Sequence, residues 1–432
     1  MKRKIEDQLL LWKNQKTRKP LILNGARQVG KTYILREFGD RYYKNTVYVN
    51  LEINEDIAAY FQENIHPERV IKYLEATVQE EIVPEETLII LDEIQVCERA
   101  LTSLKYFCEE TPEYHIAAAG SLLGVAINRQ KYSFPVGKVD TMELFPLDFE
   151  EFLWAVGEGL LCEEIRKSFL AMKPLIEPLH KQAIDRYREY LIVGGMPACV
   201  NQYTIVGKLL DIPLIQNEIL NNYLADMAKY AENTSSVKIR ACYHSIPTQL
   251  AKDNKKFQYK VVQKGGTATI FGEAIEWLHA AGVVLKCQKT EQGNEPIAAY
   301  SDLASFKLYM SDVGLLVMKS GILQQTILTG TGNTFLGAVT ENYVASQLAA
   351  KGYSLYYWES EYSAELDFLT FDQSGRYAIE VKKGEHNMSK SLNQFIKKYN
   401  PENVYRFSLK NFGYENGINA VPLYAIFCME KK

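Results

Sequence analysis

The stretch Gly25-Ala26-Arg27-Gln28-Val29-Gly30-Lys31-Thr32 follows a short apolar run, Pro20-Leu21-Ile22-Leu23. It leads into residues 33–38, which are helical in pattern, with Gly39 as their stop. Two glycines and a Lys-Thr pair between a strand and a helix are what phosphate binding requires. The glycines let backbone N–H groups curl around a β-phosphate, and the helix N-terminus adds partial positive charge. Lys31 is the expected partner of the β- and γ-phosphates, and the Thr32 hydroxyl an expected Mg²⁺ ligand. All eight residues, Gly25, Ala26, Arg27, Gln28, Val29, Gly30, Lys31 and Thr32, form the candidate cradle.

Further along, Thr87-Leu88-Ile89-Ile90-Leu91 is a continuous apolar run, as a central parallel strand would be. It ends in Asp92-Glu93. Asp92 is placed to hold Mg²⁺ and Glu93 to polarise the water that attacks a γ-phosphate. A third run, His115-Ile116-Ala117-Ala118-Ala119, ends in Gly120-Ser121, which makes Ser121 a candidate γ-phosphate contact or a capping serine. Strands near 20–23, 47–51, 88–92 and 115–119 alternate with helical stretches at 68–81 and 99–109. That alternation predicts a parallel sheet covered by helices. Ahead of it, residues 1–16 read as an amphipathic helix through Ile5, Leu9 and Trp12.

These marks, together with Leu91-Asp92-Glu93-Ile94-Gln95 and the stretch Glu143–Phe152 (written ELFPLDFEEF), resemble the bacterial and archaeal AAA-type ATPases that carry a C-terminal DUF4143 region. Later marks of the same resemblance are Gly194-Gly195-Met196-Pro197, Lys307-Leu308-Tyr309-Met310-Ser311-Asp312-Val313-Gly314, Glu341-Asn342, Trp358, Glu365-Leu366-Asp367-Phe368 and Ile379-Glu380-Val381-Lys382. One position departs: Gly137-Lys138 stands where the family usually has Gly-Arg. A lysine lacks the planar fork of an arginine finger. Arg129 and Arg27 are alternative candidates for a cationic phosphate contact. The resemblance also implies sites completed between subunits, and so a homo-oligomer.

Residues 148–232 are dominated by helical patterns, broken near Pro174 and Pro178. Residues 237–300 then read as helix, helix, strand, turn, strand. The last helix, 268–282, places Ile270, Ala274, Trp277 and Leu278 on its core side, a strand follows at 283–287, and a return strand at 297–300. That order is the order of a winged helix. Lys252, Lys255, Lys256, Lys260 and Lys264 are available for phosphates, but the helix that would enter a groove carries Glu273 and Glu276 and no Lys or Arg.

In the last third, a helix at 337–350 carries Glu341. A strand at 366–371 carries Asp367, and a strand at 377–381 leads to Glu380 and Lys382 on one face. Two carboxylates on adjacent strands can hold a divalent metal and a nearby lysine can activate water. The set Glu341, Asp367, Glu380 and Lys382 is like that of the restriction-endonuclease-type fold, with Asp367 and Glu380 as candidate metal ligands. A solvated hairpin edge is the competing reading.

Composition sets the limits. The 432 residues carry 49 Lys+Arg against 53 Asp+Glu, a net charge of −4, which excludes a polycation while leaving room for a local basic face. Seven scattered Cys without a CxxC pair argue against a disulfide framework or a zinc knuckle and point to the reducing cytoplasm. No apolar stretch is long enough to span a bilayer and none reads as a signal peptide. The expected class is therefore α/β: an AAA-type P-loop ATPase domain (1–147), a helical linker (148–235), a winged-helix-like domain (236–302) and a restriction-endonuclease-like domain (303–432). The expected function is Mg²⁺-dependent binding and hydrolysis of ATP, with the nucleotide state controlling the C-terminal domains. The alternatives are an ATP-gated nuclease acting on DNA or RNA, or a nucleotide-controlled switch for an unidentified protein partner.

Overall fold

A computed structural model describes residues 1–120, 134–229, 233–330, 333–360, 364–382, 384 and 390–431. The chain divides into two compact units. One holds residues 1–145 and 280–282, and the other holds 146–279 and 283–432.

The first unit is built on a five-stranded parallel sheet. Its strands are β1 (Leu21–Asn24), β2 (Asn45–Asn50), β3 (Thr87–Asp92), β4 (His115–Ala119) and β5 (Asp140–Glu143), in the order β2-β3-β4-β1-β5. Every neighbouring pair is parallel, with Leu21 level with Ala117 and Asn50 level with Asp92. β3 and β4 are buried at every residue, because helices cover both faces of such a sheet. Alternate residues Ile89 and Leu91, with Ile116, Ala118, Val47 and Val49, pack on one face against Leu101, Leu104 and Phe107 of the helix Glu98–Glu110. The N-terminal helix Ile5–Lys13 buries Ile5, Leu9 and Trp12, as its spacing predicts. β5 was not evident in the sequence: Asp140-Thr141-Met142-Glu143 has no apolar run, and its half-exposed pattern suits the sheet edge it occupies.

Parallel strands all end on the same side of a sheet. The loop after β1, the acidic end of β3 and Gly120 after β4 therefore share one edge, with β4 lying between β3 and β1. Ser121 and Arg129 lie outside the described residues.

The second unit combines helices with an eight-stranded mixed sheet. Its strands are β6 (Val284–Thr290), β7 (Ser301–Met310), β8 (Tyr356–Glu359), β9 (Glu365–Asp372), β10 (Gly375–Val381), β11 (Asn403–Ser408), β12 (Gly413–Glu415) and β13 (Ile418–Pro422), in the order β12-β13-β11-β10-β9-β8-β6-β7. Two expectations change here. Residues Ile297–Tyr300 form a 3₁₀ turn, and the return strand is β7, which starts at Ser301. The β6–β7 hairpin also pairs through β6 with β8, so it belongs to the same sheet as the C-terminal strands rather than to a small wing of its own. In the helix Ala268–Ala280 the buried side is Phe271, Ala274, Ile275, Trp277 and Leu278, while Ile270 faces solvent.

The motifs flanking the helical region meet inside this unit. Asp312 is buried, caps the helix Val313–Ser320 by accepting from Leu315 N–H at 2.8 Å, and accepts from Gly195 N–H at 2.6 Å. Gly195 O in turn accepts from Leu147 N–H at 2.7 Å, and a Cβ on Gly195 would sit 2.0 Å from Leu147 O. The Tyr190 hydroxyl donates to that same Leu147 oxygen at 2.6 Å. Burial, opposed by the backbone donors, pushes the Asp312 carboxyl up to about 6.

Candidate functional site

The loop between β1 and the helix Lys31–Tyr42 takes its shape from backbone that few side chains allow. Gly25 has φ +144° and Gly30 φ +97°. A Cβ on Gly25 would fall 2.2 Å from the Leu144 carbonyl oxygen, so the residue there must be glycine. Leu144 N–H donates to Asn24 O at 2.8 Å and brings that carbonyl close. Lys31 is buried at the helix start, and its ammonium donates to Gly25 O and Ala26 O, each at 2.8 Å, which folds it back along the loop. The Thr32 hydroxyl donates to Asp92 Oδ2 at 2.7 Å, and the Tyr48 hydroxyl reaches the same oxygen at 2.9 Å. Asp92 is 3% exposed at the end of β3, so a carboxylate and a hydroxyl are held together on a dry strand end. That pair is the hard-oxygen donor set suited to Mg²⁺, and the residues fit the ion they are expected to hold. Glu93 stands next to it in a left-handed conformation, φ +51°; its backbone N–H binds Asp92 Oδ1 at 3.0 Å, and Gln95 donates to its carboxylate.

Two participants were missed in the sequence. Arg3 is buried, donating to Val29 O at 3.1 Å and to Phe145 O at 2.6 Å, and so ties the loop to the chain that leaves β5. An arginine in a basic N-terminal stretch reads as surface, and nothing in its spacing signals otherwise. Tyr48 is the second, on β2 two residues before the strand end and so on the same face as Asn50 by the period of two. Lys138 is engaged with Glu109 at 2.8 Å in a half-exposed ion pair.

In the second unit the expected residues divide into two groups. Glu380 is buried and holds Lys382 at 3.0 Å and Arg406 at 3.4 Å. Glu341 lies in a different cluster. The Tyr309 hydroxyl donates to its Oε2 at 3.2 Å, Lys255 pairs with its Oε1, and Lys307 Nζ lies 3.8 Å from Oε2. Lys307 also pairs with Glu365. Asp367 Oδ2 accepts from Val381 N–H at 2.7 Å. Burial, and then the charge of Glu341, push its carboxyl up to about 7. Lys307 is outside the expected set, because a lysine on a strand reads as solvent-facing. Of the basic run, Lys255 is committed to Glu341 and Lys256 to Glu359, so neither is a spare cation for nucleic-acid phosphate. Among the described residues, no group of three or more His, Cys, Asp or Glu is arranged to hold a metal ion, and no helix is long and apolar enough to cross a membrane.

Residues 17–153 match an AAA domain family, residues 184–326 a domain of unknown function, DUF8612, and residues 336–426 a second, DUF4143. The chain carries an AAA domain and a DUF4143 region. The AAA domain contains the whole of the loop and β3 geometry, and the DUF4143 region contains Glu341, Asp367, Glu380 and Lys382. None of the curated proteins matches the sequence. Among solved structures, the chain is similar to the Walker-type ATPase PABY2304 of Pyrococcus abyssi, with 14% identity over 74% of this chain and 95% of that one, at a TM-score of 0.44. It is also similar to the ORC2 protein of Aeropyrum pernix, with 11% identity over 75% and 91% at 0.38. DnaA from Aquifex aeolicus matches at 12% identity over 64% and 89%, at 0.27.

Proposed function

We propose that this protein binds ATP with Mg²⁺ and hydrolyses it, using the nucleotide state to control the remainder of the chain. The observation that carries the reading is the 2.7 Å hydrogen bond from Thr32 to Asp92 beside Lys31, on the edge where β1, β3 and β4 end. The loop glycines aim backbone N–H groups at phosphate oxygens, and the Lys31 ammonium exchanges the Gly25 and Ala26 carbonyls for the β- and γ-phosphates. Thr32 and Asp92 hold the Mg²⁺, which when bound offsets negative charge on the phosphates. Glu93, steadied by Gln95, orients a water and accepts its proton. Ser121 is assigned the γ-phosphate contact. Lys31→Ala is expected to abolish ATP binding. Glu93→Gln is expected to keep binding while lowering turnover by about 10²-fold or more, the usual size of a general-base contribution. Equal hydrolysis by wild type and Glu93→Gln would sink the assignment.

A second reading, a slow nucleotide switch, draws support from Lys138. Its pairing with Glu109 leaves the position without the arginine fork that accelerates phosphoryl transfer. Tight ATP binding with turnover far below once per minute would favour this reading over a working ATPase. A cytoplasmic homo-oligomer acting with a protein partner, or on DNA or RNA, is consistent with either.

A further inference from the structure

The restriction-endonuclease resemblance implies a divalent metal held by Asp367 and Glu380, and the residues present do not fit one. Lys307 is fully buried on β7, and its Nζ contacts the Glu365 carboxylate, lies 3.8 Å from Glu341 and sits 4.9 Å from the centre of the Tyr357 ring. Both oxygens of Glu341 have donors, Lys255 on one and Tyr309 on the other. One Asp367 oxygen, Oδ2, accepts a backbone N–H, and Glu380 is taken by Lys382 and Arg406. The carboxylates are thus divided between two groups of resident cations.

We infer that Lys307, supplied by β7 from the stretch that matches DUF8612, serves as the built-in cation for carboxylates of the DUF4143 region, standing where a divalent metal would otherwise balance Glu341, Glu365 and Asp367, and that this cluster takes no divalent metal. A buried ammonium without partners is strongly disfavoured, so Lys307 can be there only because the carboxylates surround it. The converse also holds. A doubly charged ion beside an ammonium that cannot leave would meet repulsion in a dry, low-dielectric site. Divalent cations of this class need several oxygens at short range, and here both oxygens of Glu341 and one each of Glu365 and Asp367 are already engaged.

The test is a Mn²⁺ titration of the full-length, nucleotide-free protein, read by electron paramagnetic resonance. Wild type and Asp367→Asn are expected to give the same isotherm. Lys307→Gln is expected to gain a Mn²⁺ site at least about tenfold tighter than any site of the wild type, with Asp367→Asn removing it again. The inference is overturned if wild type already binds Mn²⁺ tightly and loses it in Asp367→Asn, or if Lys307→Gln folds and gains no site. Should Lys307→Gln fail to fold, the comparison of wild type with Asp367→Asn decides.

Discussion

His115 shows how one residue sets a pH response. It lies at the start of β4 with 3% exposure, shares a 2.7 Å hydrogen bond with the Tyr43 hydroxyl, and meets the Trp12 ring edge-on at 6.1 Å. Burial, helped by Arg18 and Lys13, lowers its value from 6.5 to about 3. The unfolded chain then binds a proton that the folded chain refuses. The stabilisation is complete above pH 6.5 and is lost as the pH falls towards 3. Urea unfolding across that window should show stability falling by up to about 1.4 kcal/mol per pH unit from this group, and His115→Phe should flatten the slope. A parallel slope in the variant would assign the acid response elsewhere. Arg3→Ala makes a second residue-scale prediction. It leaves the Val29 and Phe145 carbonyls without their charged donor, so ATP affinity should fall although Arg3 is not expected to touch nucleotide, and stability should drop by about 1.5–3 kcal/mol. Unchanged affinity by calorimetry would separate Arg3 from the loop.

At the level of elements, the Asp312–Gly195–Leu147 connection explains why two glycine-containing motifs far apart in sequence belong together. Gly195→Ala should cost about 3 kcal/mol or more, because the added carbon meets backbone rather than a movable side chain. Asp312→Ala should cost about 1–2 kcal/mol through loss of the helix cap alone, measured by the same denaturant series. The parallel strands β1, β3 and β4 were legible in the sequence because each is a short apolar run between helical patterns. β5 was not, because an edge strand needs no apolar run, and none of its four side chains is fully buried. Asn342 illustrates a second limit. Its side-chain amide bonds both the N–H and C=O of Met310, at 2.8 and 2.9 Å, as a neighbouring strand would. No local pattern announces that a helical asparagine will complete a strand. Similarly, the glycine-shaped loop between β1 and its helix was readable from spacing alone, whereas the Glu341–Lys307 cluster depends on a strand and a helix that meet only after folding.

Across the whole molecule, two units with separate cores should unfold in separable steps. The four tryptophans divide unequally: Trp12 is in the first unit, and Trp154, Trp277 and Trp358 are in the second. With the latter three replaced by Phe, emission follows the first unit alone. Mg-ATP at about 100 times its Kd should stabilise that transition by about 2.7 kcal/mol, and Lys31→Ala should remove the shift. No shift in the wild type would contradict nucleotide binding. The order of strands in the second sheet also bears on synthesis. β6 and β7 leave the ribosome before β8, the strand that pairs with β6, exists. Lys307 emerges before Glu341 and Glu365, so during translation it remains a hydrated charge on an open hairpin. At about 5–20 residues per second the hairpin edge waits some seconds for its neighbour. The charge that later lies at the centre of the cluster would meanwhile hydrate the open face of the hairpin and discourage its burial against another growing chain.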